Sequence, residues 1–396
     1  MRLTRIFTLS ISLLFFSTII NAQDGGNQPK WYDTFSLRGY MQIRYNAFQS
    51  NPDLNCEQCD KSWNGTSSFF VRRARVIFSG QIGKQVYFYF QPDFAASTGG
   101  GLNFGQIKDA YFDIGLDTKN EYRLRLGQTK IPYGFENMQS SSVRIPLDRA
   151  DALNSAFLNE RDLGLFFYWA PREKRDLFKR LVDDGLKGSG DYGIFAFGVF
   201  NGQNSNQLDQ NKDVHTVARL TWPFEVGNQI IETAIQGYTG KYVIATNELS
   251  ENVKYAADRN YLDQRVAATF ILYPKPFGIQ AEYNIGKGPE YNKLSDSIEV
   301  QNLKGGYVTM SYLIKKNKQS YMPFIRAQYY DGGKKHELDA RSYKVNDFEF
   351  GVEWQPMEHL ELVGSYNFSN RRYEDFELRD NHQRGNLFRL QAQLSF

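Results

Sequence analysis

The sequence predicts an all-β fold, a 16-stranded antiparallel transmembrane β-barrel with short periplasmic turns and long extracellular loops, and three observations support it. Many segments alternate apolar and polar residues, as strands with one apolar and one wet face do. The mean hydropathy is only −0.54 although the chain carries 31 Phe and 25 Tyr, which fits a barrel with aromatic residues at both membrane interfaces. After residue 22, no apolar run approaches the ~18–20 residues of a spanning helix, so a chain that crosses a membrane must close into a barrel.

The amino terminus predicts export. Arg2 and Arg5 precede an apolar run at residues 6–20, and Ala22 supplies a small residue at the end of the run. This order is typical of a secretory signal peptide, residues 1–22, cleaved near Ala22; a membrane-anchor helix is the alternative. Cleavage removes two positive charges and no acid, which takes the formal charge from +3 to near +1. Bulk charge therefore indicates no particular partner.

The mature chain, residues 23–396, contains sixteen segments with strand character. They are predicted at residues 33–48, 68–81, 84–95, 104–117, 120–131, 161–170, 191–201, 212–223, 229–241, 261–273, 277–287, 303–315, 319–331, 343–355, 358–370 and 385–396. Long connections alternate with short ones. The long connections are predicted at residues 49–67, 96–103, 132–160, 202–211, 242–260, 288–302, 332–342 and 371–384. Tight turns at one end and large loops at the other are typical of outer-membrane barrels, and an even strand number places both termini in the periplasm.

The last predicted strand shows the alternation most clearly. Phe388, Leu390, Ala392, Leu394 and Phe396 alternate with four polar residues. A final strand of this kind closes a barrel against the first strand, and its last aromatic residue lies in the interfacial girdle. We expect Phe396 to be the residue that the barrel-assembly machinery reads.

The sequence gives little support to catalysis or metal binding. Cys56 and Cys59 form one Cys-x-x-Cys between loop-like flanks, without a second pair. In an exported chain a disulfide or two idle thiols is therefore favoured over a metal site. The four His residues lack ligand spacing, and no Gly-x-Ser-x-Gly occurs. We expect no enzyme, no cofactor, no metal site and no nucleic-acid partner.

Arginine recurs on the polar phase of the predicted strands. At mid-depth on the lipid face an arginine costs about 2–4 kcal/mol, so these side chains should point into the lumen. Their rigid fork of donors matches phosphate and carboxylate, and a ladder of such forks lowers the barrier for an anion. The alternative is ordinary lumen solvation balanced by glutamates. The candidate ladder residues are Arg38, Arg44, Arg73, Arg75, Arg123 and Arg125.

The connection at residues 132–160 is the longest non-strand stretch. It carries Arg144 and Arg149, and Lys130 lies just before it. In a wide barrel a loop of this length can fold into the lumen and narrow it, so we expect these three cations to line the constriction. A plain external loop is the alternative.

Residues 171–190 break the rule of short turns at the periplasmic end. The segment is highly charged and predicts a short helix at residues 174–184. We expect a charged periplasmic insert. Two interpretations stay open: a solvated insertion, or a docking surface for peptidoglycan or a periplasmic partner.

Residues 127–134, Gly-Gln-Thr-Lys-Ile-Pro-Tyr-Gly, resemble the G-Q-x-K-x-P-x-G segment of the phosphate-selective porin O/P family. Supporting matches within residues 35–225 are the Arg-rich 71–75, Gln91-Pro92-Asp93-Phe94, Asp109-Ala110-Tyr111, Arg161-Asp162-Leu163-Gly164 and Asn201-Gly202. The resemblance implies a sixteen-stranded, usually trimeric porin whose infolded third loop forms an anion-binding constriction. By position, Lys130 resembles the constriction lysine, Arg73 and Arg75 resemble ladder members, and Asp93 resembles a lumenal aspartate.

These observations favour a porin of the bacterial outer membrane that passively conducts small solutes, anions such as phosphate or polyphosphate, past lumenal Arg and Lys residues. The expected partners are small anionic solutes, outer-membrane lipid and further copies in a homotrimer. A general or other-solute channel, an outer-membrane barrel enzyme and a secreted glycan-binding protein are the alternatives. The many lumen-phase glutamates are the main reason to keep the first of these open.

Overall fold

A computed structural model of the protein describes residues 31–63, 67–96 and 104–396, and the predicted signal peptide lies outside these residues. The described chain is built mainly of strands. They are β1 Ser36–Gln49, β2 Phe69–Ile82, β3 Val86–Ala96, β4 Phe104–Gly115, β5 Tyr122–Lys130, β6 Arg161–Trp169, β7 Phe195–Phe200, β8 His215–Val226, β9 Gln229–Val243, β10 Asn260–Leu272, β11 Phe277–Asn292, β12 Ser297–Tyr312 with its continuation Ile314–Lys316, β13 Gln319–Gly333, β14 Ser342–Met357, β15 Leu360–Glu374 and β16 His382–Ser395. The prediction of sixteen strands is confirmed.

Helical structure is sparse. The α-helices are α1 Phe135–Met138, α2 Asp151–Asn154 and α3 Arg172–Asp183, and the 3-10 turns are Trp31–Thr34, Lys61–Trp63, Leu158–Glu160, Thr246–Glu248 and Leu338–Ala340. Within the described part of the chain, no helix is both long and apolar enough to cross a membrane.

The strands close into a single antiparallel barrel. Each strand pairs with its neighbour in the chain, and β16 pairs with β1 from Tyr40 opposite Ser395 to Gln49 opposite Leu387. Beyond the strand, Phe396 exchanges two backbone hydrogen bonds with Gly39, of 2.9 and 3.0 Å. The predicted closure by the last strand is confirmed, and it leaves neither β1 nor β16 with a free edge.

The barrel is polar inside and apolar outside. In β16, Arg389 and Gln391 are buried in the interior, whereas Leu390 and Leu394 on the outer face are 42% and 49% exposed. Exposed apolar residues recur on the outer phase of the other strands. Lipid-facing and lumen-facing residues alternate in this way along a membrane strand. The apolar outer surface is therefore suited to contact with lipid.

One predicted loop is a strand hairpin instead. The sequence predicts a long connection at residues 288–302, but β11 and β12 continue their ladder to Asn292 opposite Ser297. Tyr291 and Ile298 pack in a cluster with Tyr242 and Tyr261 above the barrel. This packing stabilises an extended hairpin. Its alternation of apolar and polar residues is too weak to be detected in the sequence.

The predicted helical insert forms, and its apolar face is buried. Leu177, Phe178 and Leu181 of α3 pack with Ile230 and Tyr273 of the barrel. The opposite face carries the exposed i, i+4 ion pairs Arg172–Asp176 and Lys179–Asp183. The insert is therefore seated in the mouth of the barrel at its short-turn end, rather than free in solvent.

Candidate functional site

The connection between β5 and β6 crosses the interior of the barrel. Ser141 Oγ lies 2.7 Å from Tyr40 Oη of β1, and the amide of Phe135 donates to Glu282 of β11 at 2.6 Å. Further along the loop, Arg371 of β15 donates to Asp151 at 2.9 Å. The loop thus contacts strands on several sides of the barrel and occupies the middle of the lumen.

Two glycines shape the entry into this infolded loop, and both belong to the family-like segment at residues 127–134. Gly127 has φ = 128°, and a Cβ there would lie 2.2 Å from the carbonyl oxygen of Ala110. Gly134 has φ = 83°, with Leu153 and Glu282 around the place of a Cβ. L-residues rarely adopt such backbone angles. The segment therefore has a conformational role, which is to turn the chain from the wall into the lumen.

Acidic residues of the loop anchor it to lumenal cations. Asp148 contacts Arg44 of β1 at 3.4 Å and also pairs with Arg389 of β16. Burial by itself would raise the pKa of the Asp148 carboxyl, but Arg389 and Arg44 hold this pKa well below its usual range. The Asp148 carboxylate therefore stays ionised and forms ion pairs with both arginines.

Two further anchors act in the same way. Asp151 lies 2.5 Å from the ammonium of Lys334 and 2.9 Å from Arg371. Glu136 lies 2.9 Å from Arg326. A buried charge without a partner is costly, so each anchor favours the infolded position of the loop.

A second extracellular connection also enters the lumen. Trp63 is buried, and its indole nitrogen donates to Asp148 at 3.2 Å. The guanidinium groups of Arg371 and Arg389 lie over its ring at 4.7 and 5.4 Å. A disulfide joins Cys56 and Cys59 in the same connection. Sequence reasoning missed Trp63, because no local pattern marks a loop residue that packs inside a barrel.

Most of the predicted ladder arginines are paired with carboxylates. Arg75 lies 2.7 Å from Asp93, and Arg125 lies 2.6 Å from Asp113. Asp93 is accordingly lumenal. Arg123 lies 2.7 Å from Asp191, the residue that follows the insert, and Arg44 pairs with Asp60 as well as Asp148. Periodicity places these side chains on the inner face, but it does not reveal that acids partly neutralise them.

Four predicted cations lack an ion pair among the described residues: Arg38, which is exposed, and three buried ones. Arg73 donates to Gln42 at 2.8 Å. Lys130 donates to the backbone oxygens of Met138, at 3.1 Å, and Gln139. Arg144 donates to the oxygens of Pro146 and Leu147. All three are at least nine-tenths buried, and Lys130 and Arg144 bind loop carbonyls. Arg149 instead lies 3.3 Å from Glu160.

A charged cavity of about 580 Å³ lies between the wall formed by β1–β6, the infolded loop and the insert. Eight cations line it against five carboxylates. The cations are Arg38, Arg123, Arg125, Lys130, Arg161, Arg172, Arg175 and Lys179, and the carboxylates are Asp109, Asp113, Asp176, Asp183 and Asp191. Arg38 is exposed to this space. The cavity brings together four of the predicted site residues, whereas Arg73, Arg75, Arg144, Arg149, Arg44 and Asp93 do not line it.

The insert supplies cations that sequence reasoning did not assign to the site. Arg172, Arg175 and Lys179 reach the cavity from α3, and Arg161 reaches it from the start of β6. Arg161 belongs to a family-like segment, which was a usable signal. No comparable signal marks α3, because its contact with the lumen depends on the fold. No group of His, Cys, Asp and Glu within the described ranges is arranged to hold a metal ion.

A closed sixteen-strand barrel with an infolded third loop defines a porin-type channel. The chain belongs to the phosphate-selective porin O and P family, whose model matches residues 42–396. A comparison with curated proteins gives no significant match.

Solved structures share the fold at low identity. The outer membrane channel DcaP of Acinetobacter baumannii has 16% identity and a TM-score of 0.57, over 91% of this chain and 97% of that one. OmpF of Salmonella typhi, solved with daunomycin, has 12% identity and a TM-score of 0.53 over the same shares. An anion-selective porin from Comamonas acidovorans has 9% identity and a TM-score of 0.52, over 92% of this chain and 99% of that one. The protein is therefore an outer-membrane porin channel by fold and family.

Proposed function

We propose that this porin passes small anions, with phosphate and polyphosphate as the preferred class, through the charged cavity below the infolded loop. The observation that carries the proposal is the excess of cations over carboxylates around that cavity. A focused positive potential in a narrow, low-dielectric passage raises the local concentration of anions. The family name and the anion-selective porin among the structural neighbours support the same direction.

The guanidinium groups make phosphate the favoured anion. Arg38, Arg172 and Arg175 present planar forks to the cavity, and each fork can hold two phosphate oxygens, which chloride cannot exploit. The paired acids keep the site from binding too tightly. Asp191, for example, accepts from Arg123 at 2.7 Å and from Arg175 at 2.8 Å. Conduction needs binding of this moderate strength, because the ion must also leave.

The predicted roles of the other cations change with this geometry. Arg73, Arg75, Arg144 and Arg149 are enclosed by the loop and its partners, so we assign them to holding the constriction. Lys130 has two roles. It lines the cavity through which the anion passes, and it helps to hold the constriction by donating to loop carbonyls.

Three further proposals concern biogenesis. We propose that residues 1–22 are removed, that Phe396 is read by the barrel-assembly machinery, and that the barrel forms a homotrimer. The contact of Phe396 with Gly39 at the barrel seam supports the second. Amino-terminal sequencing and native mass spectrometry of protein from outer membranes test the first and third: a start at Met1 or a monomer would reject them. Normal outer-membrane amounts of a chain without Phe396 would reject the second.

Charge reversal in the cavity tests the pathway. Arg38→Glu lowers the formal excess of cationic over acidic lining residues, and Arg38→Glu/Arg172→Glu reverses its sign. We expect the reversal potential in a KCl gradient to shift toward cation preference in the first variant and to change sign in the second. Arg180→Glu is the matched control, because Arg180 lies on the same helix but pairs with Glu225 outside the cavity. Equal potentials in all four proteins would reject this cavity as the pathway.

A further inference from the structure

An apolar groove of about 850 Å³ runs along one face of the barrel. It spans β10 to β16, and its large apolar side chains are 41–51% exposed, which places them on the outer wall. These side chains are Phe270, Tyr283, Val308, Phe348 and Phe368. Small residues separate them along the strands, namely Ala268, Ala281, Gly306 and Ala327. The groove is thus wide enough for acyl chains and faces the bilayer.

A row of basic residues lies directly above the groove, toward the long-loop end. In the strand register Lys304 faces Asp331, Asp331 faces Lys344, and Lys344 faces Arg372. In the same register Gly306 faces Tyr329, and Tyr329 faces Asn346, so the groove begins two residues down these strands, about 7 Å below the row. We call Lys304, Lys344 and Arg372 the basic row.

The basic row lies at the boundary between apolar and polar outer surface. The next outward-phase residues toward the long-loop end are polar, and they include Lys287, Asn302 and Glu374. The residues directly below the row are Gly306, Tyr329, Asn346 and Asn370, and the large apolar side chains of the groove follow below them. In barrels of this class the long loops are extracellular, so the row lies at the headgroup level of the outer leaflet.

The charges of the row are largely available. Lys344 is half exposed, and its ammonium lies as far as 4.0 Å from Asp331. Asp331 also accepts a hydrogen bond from Tyr329 at 3.0 Å. Arg372 lies 3.6 Å from Glu374, and its Nε has no hydrogen-bond partner among the described residues. No carboxylate of the described chain lies within 4 Å of the Lys304 ammonium. The three cations of the row therefore face two carboxylates, Asp331 and Glu374, which leaves a net positive charge.

We infer that the groove and the basic row together form a binding site for a phosphorylated glycolipid of the outer leaflet, of the lipid A class. The acyl chains occupy the groove between Phe270 and Phe368. The phosphate groups contact Lys304, Lys344 and Arg372, where a guanidinium and two ammonium groups complement their charge. A neutral or zwitterionic lipid fills the groove but leaves the row uncompensated, so charge complementarity selects the anionic glycolipid.

The test uses the full chain purified from outer membranes, with bisphosphorylated lipid A as the probe and native mass spectrometry as the readout. We expect Lys304→Gln/Lys344→Gln/Arg372→Gln to weaken lipid A binding by about 100-fold, since each cation near the surface contributes about a fivefold effect. Lys241→Gln is the matched control: Lys241 lies on the outer rim of β9, away from the groove, and pairs with Asp213. It should bind lipid A as the wild type does.

Two single variants keep the test informative if the triple variant folds poorly. Asp331→Asn removes the acid between Lys304 and Lys344 and should tighten binding severalfold. Ala327→Trp fills the groove and should weaken binding while the charges remain. Wild-type affinity in the triple variant, no gain in Asp331→Asn, or equal binding of dephosphorylated lipid A would overturn the inference. Loss of oligomers rather than of lipid in Ala327→Trp would assign the groove to a second copy of the chain and would also overturn it.

Discussion

The variant Asp148→Asn/Asp151→Asn should open the channel and increase single-channel conductance severalfold. The two carboxylates bind Arg44, Arg389, Arg371 and Lys334 in the lumen. Removing one partner of a buried pair costs about 3–5 kcal/mol because the other charge is left uncompensated. The infolded position then loses two of its anchors, and we expect the loop to leave the lumen. Planar-bilayer recording measures the conductance.

Proteolysis gives an independent measurement of the same event. Both Arg144 and Arg149 lie in the loop. Arg144 is buried and the Arg149 side chain is 11% exposed, so trypsin should cut at them only in the double variant. Asp213→Asn is the matched control, because Asp213 pairs with Lys241 on the exposed rim. Unchanged conductance together with an intact loop would show that Asp148 and Asp151 do not hold it.

Lys187→Met should release the insert at the short-turn end of the barrel and so raise single-channel conductance. The ammonium of Lys187 lies 2.5 Å from Glu353 and 4.0 Å from Glu361, on strands across the lumen from α3. Its backbone oxygen accepts from Gln139 of the infolded loop at 2.6 Å. Without the cation, two carboxylates in the lumen face each other uncompensated. The insert loses its tie to the far wall, and the pore mouth widens.

The rescue of this variant separates electrostatics from packing. Adding Glu353→Gln/Glu361→Gln to Lys187→Met removes the uncompensated charges, and we expect conductance to return toward the wild-type value. Arg180→Met is the control on the same segment, since the ion pair of Arg180 is with the exposed Glu225. High conductance that persists in the triple variant would mean that the carboxylates do not drive the release.

The barrel itself is largely predictable from the sequence because membrane strands obey a simple rule. The lipid side must be apolar and the lumen side polar, so period two gives both the strand and its orientation. β16 follows this rule along its whole length, and its closure against β1 follows from the need to pair both edges. The outer end of β11 and β12 does not follow the rule. It lies beyond the membrane, where the packing of Tyr291 and Ile298 determines the structure.

The lumen is less predictable because its contacts join distant parts of the chain. Lys187 meets Glu353, and Asp148 meets Arg389; no local pattern specifies such pairs. The period-two pattern correctly predicts that Arg75 and Arg125 point inward. It gives no information on Asp93 and Asp113 as their partners. The sequence therefore predicts a ladder of free arginines, whereas the structure places most of them in ion pairs and leaves the net positive charge in the cavity beside the insert.

The reversal potential of the wild-type channel in a KCl gradient tests the central claim, anion conduction through the charged cavity, most directly. An excess of cations around a narrow passage predicts chloride permeability above that of potassium, followed by block of the chloride current on addition of millimolar phosphate. A reversal potential of the opposite sign, with no effect of phosphate, would contradict the claim.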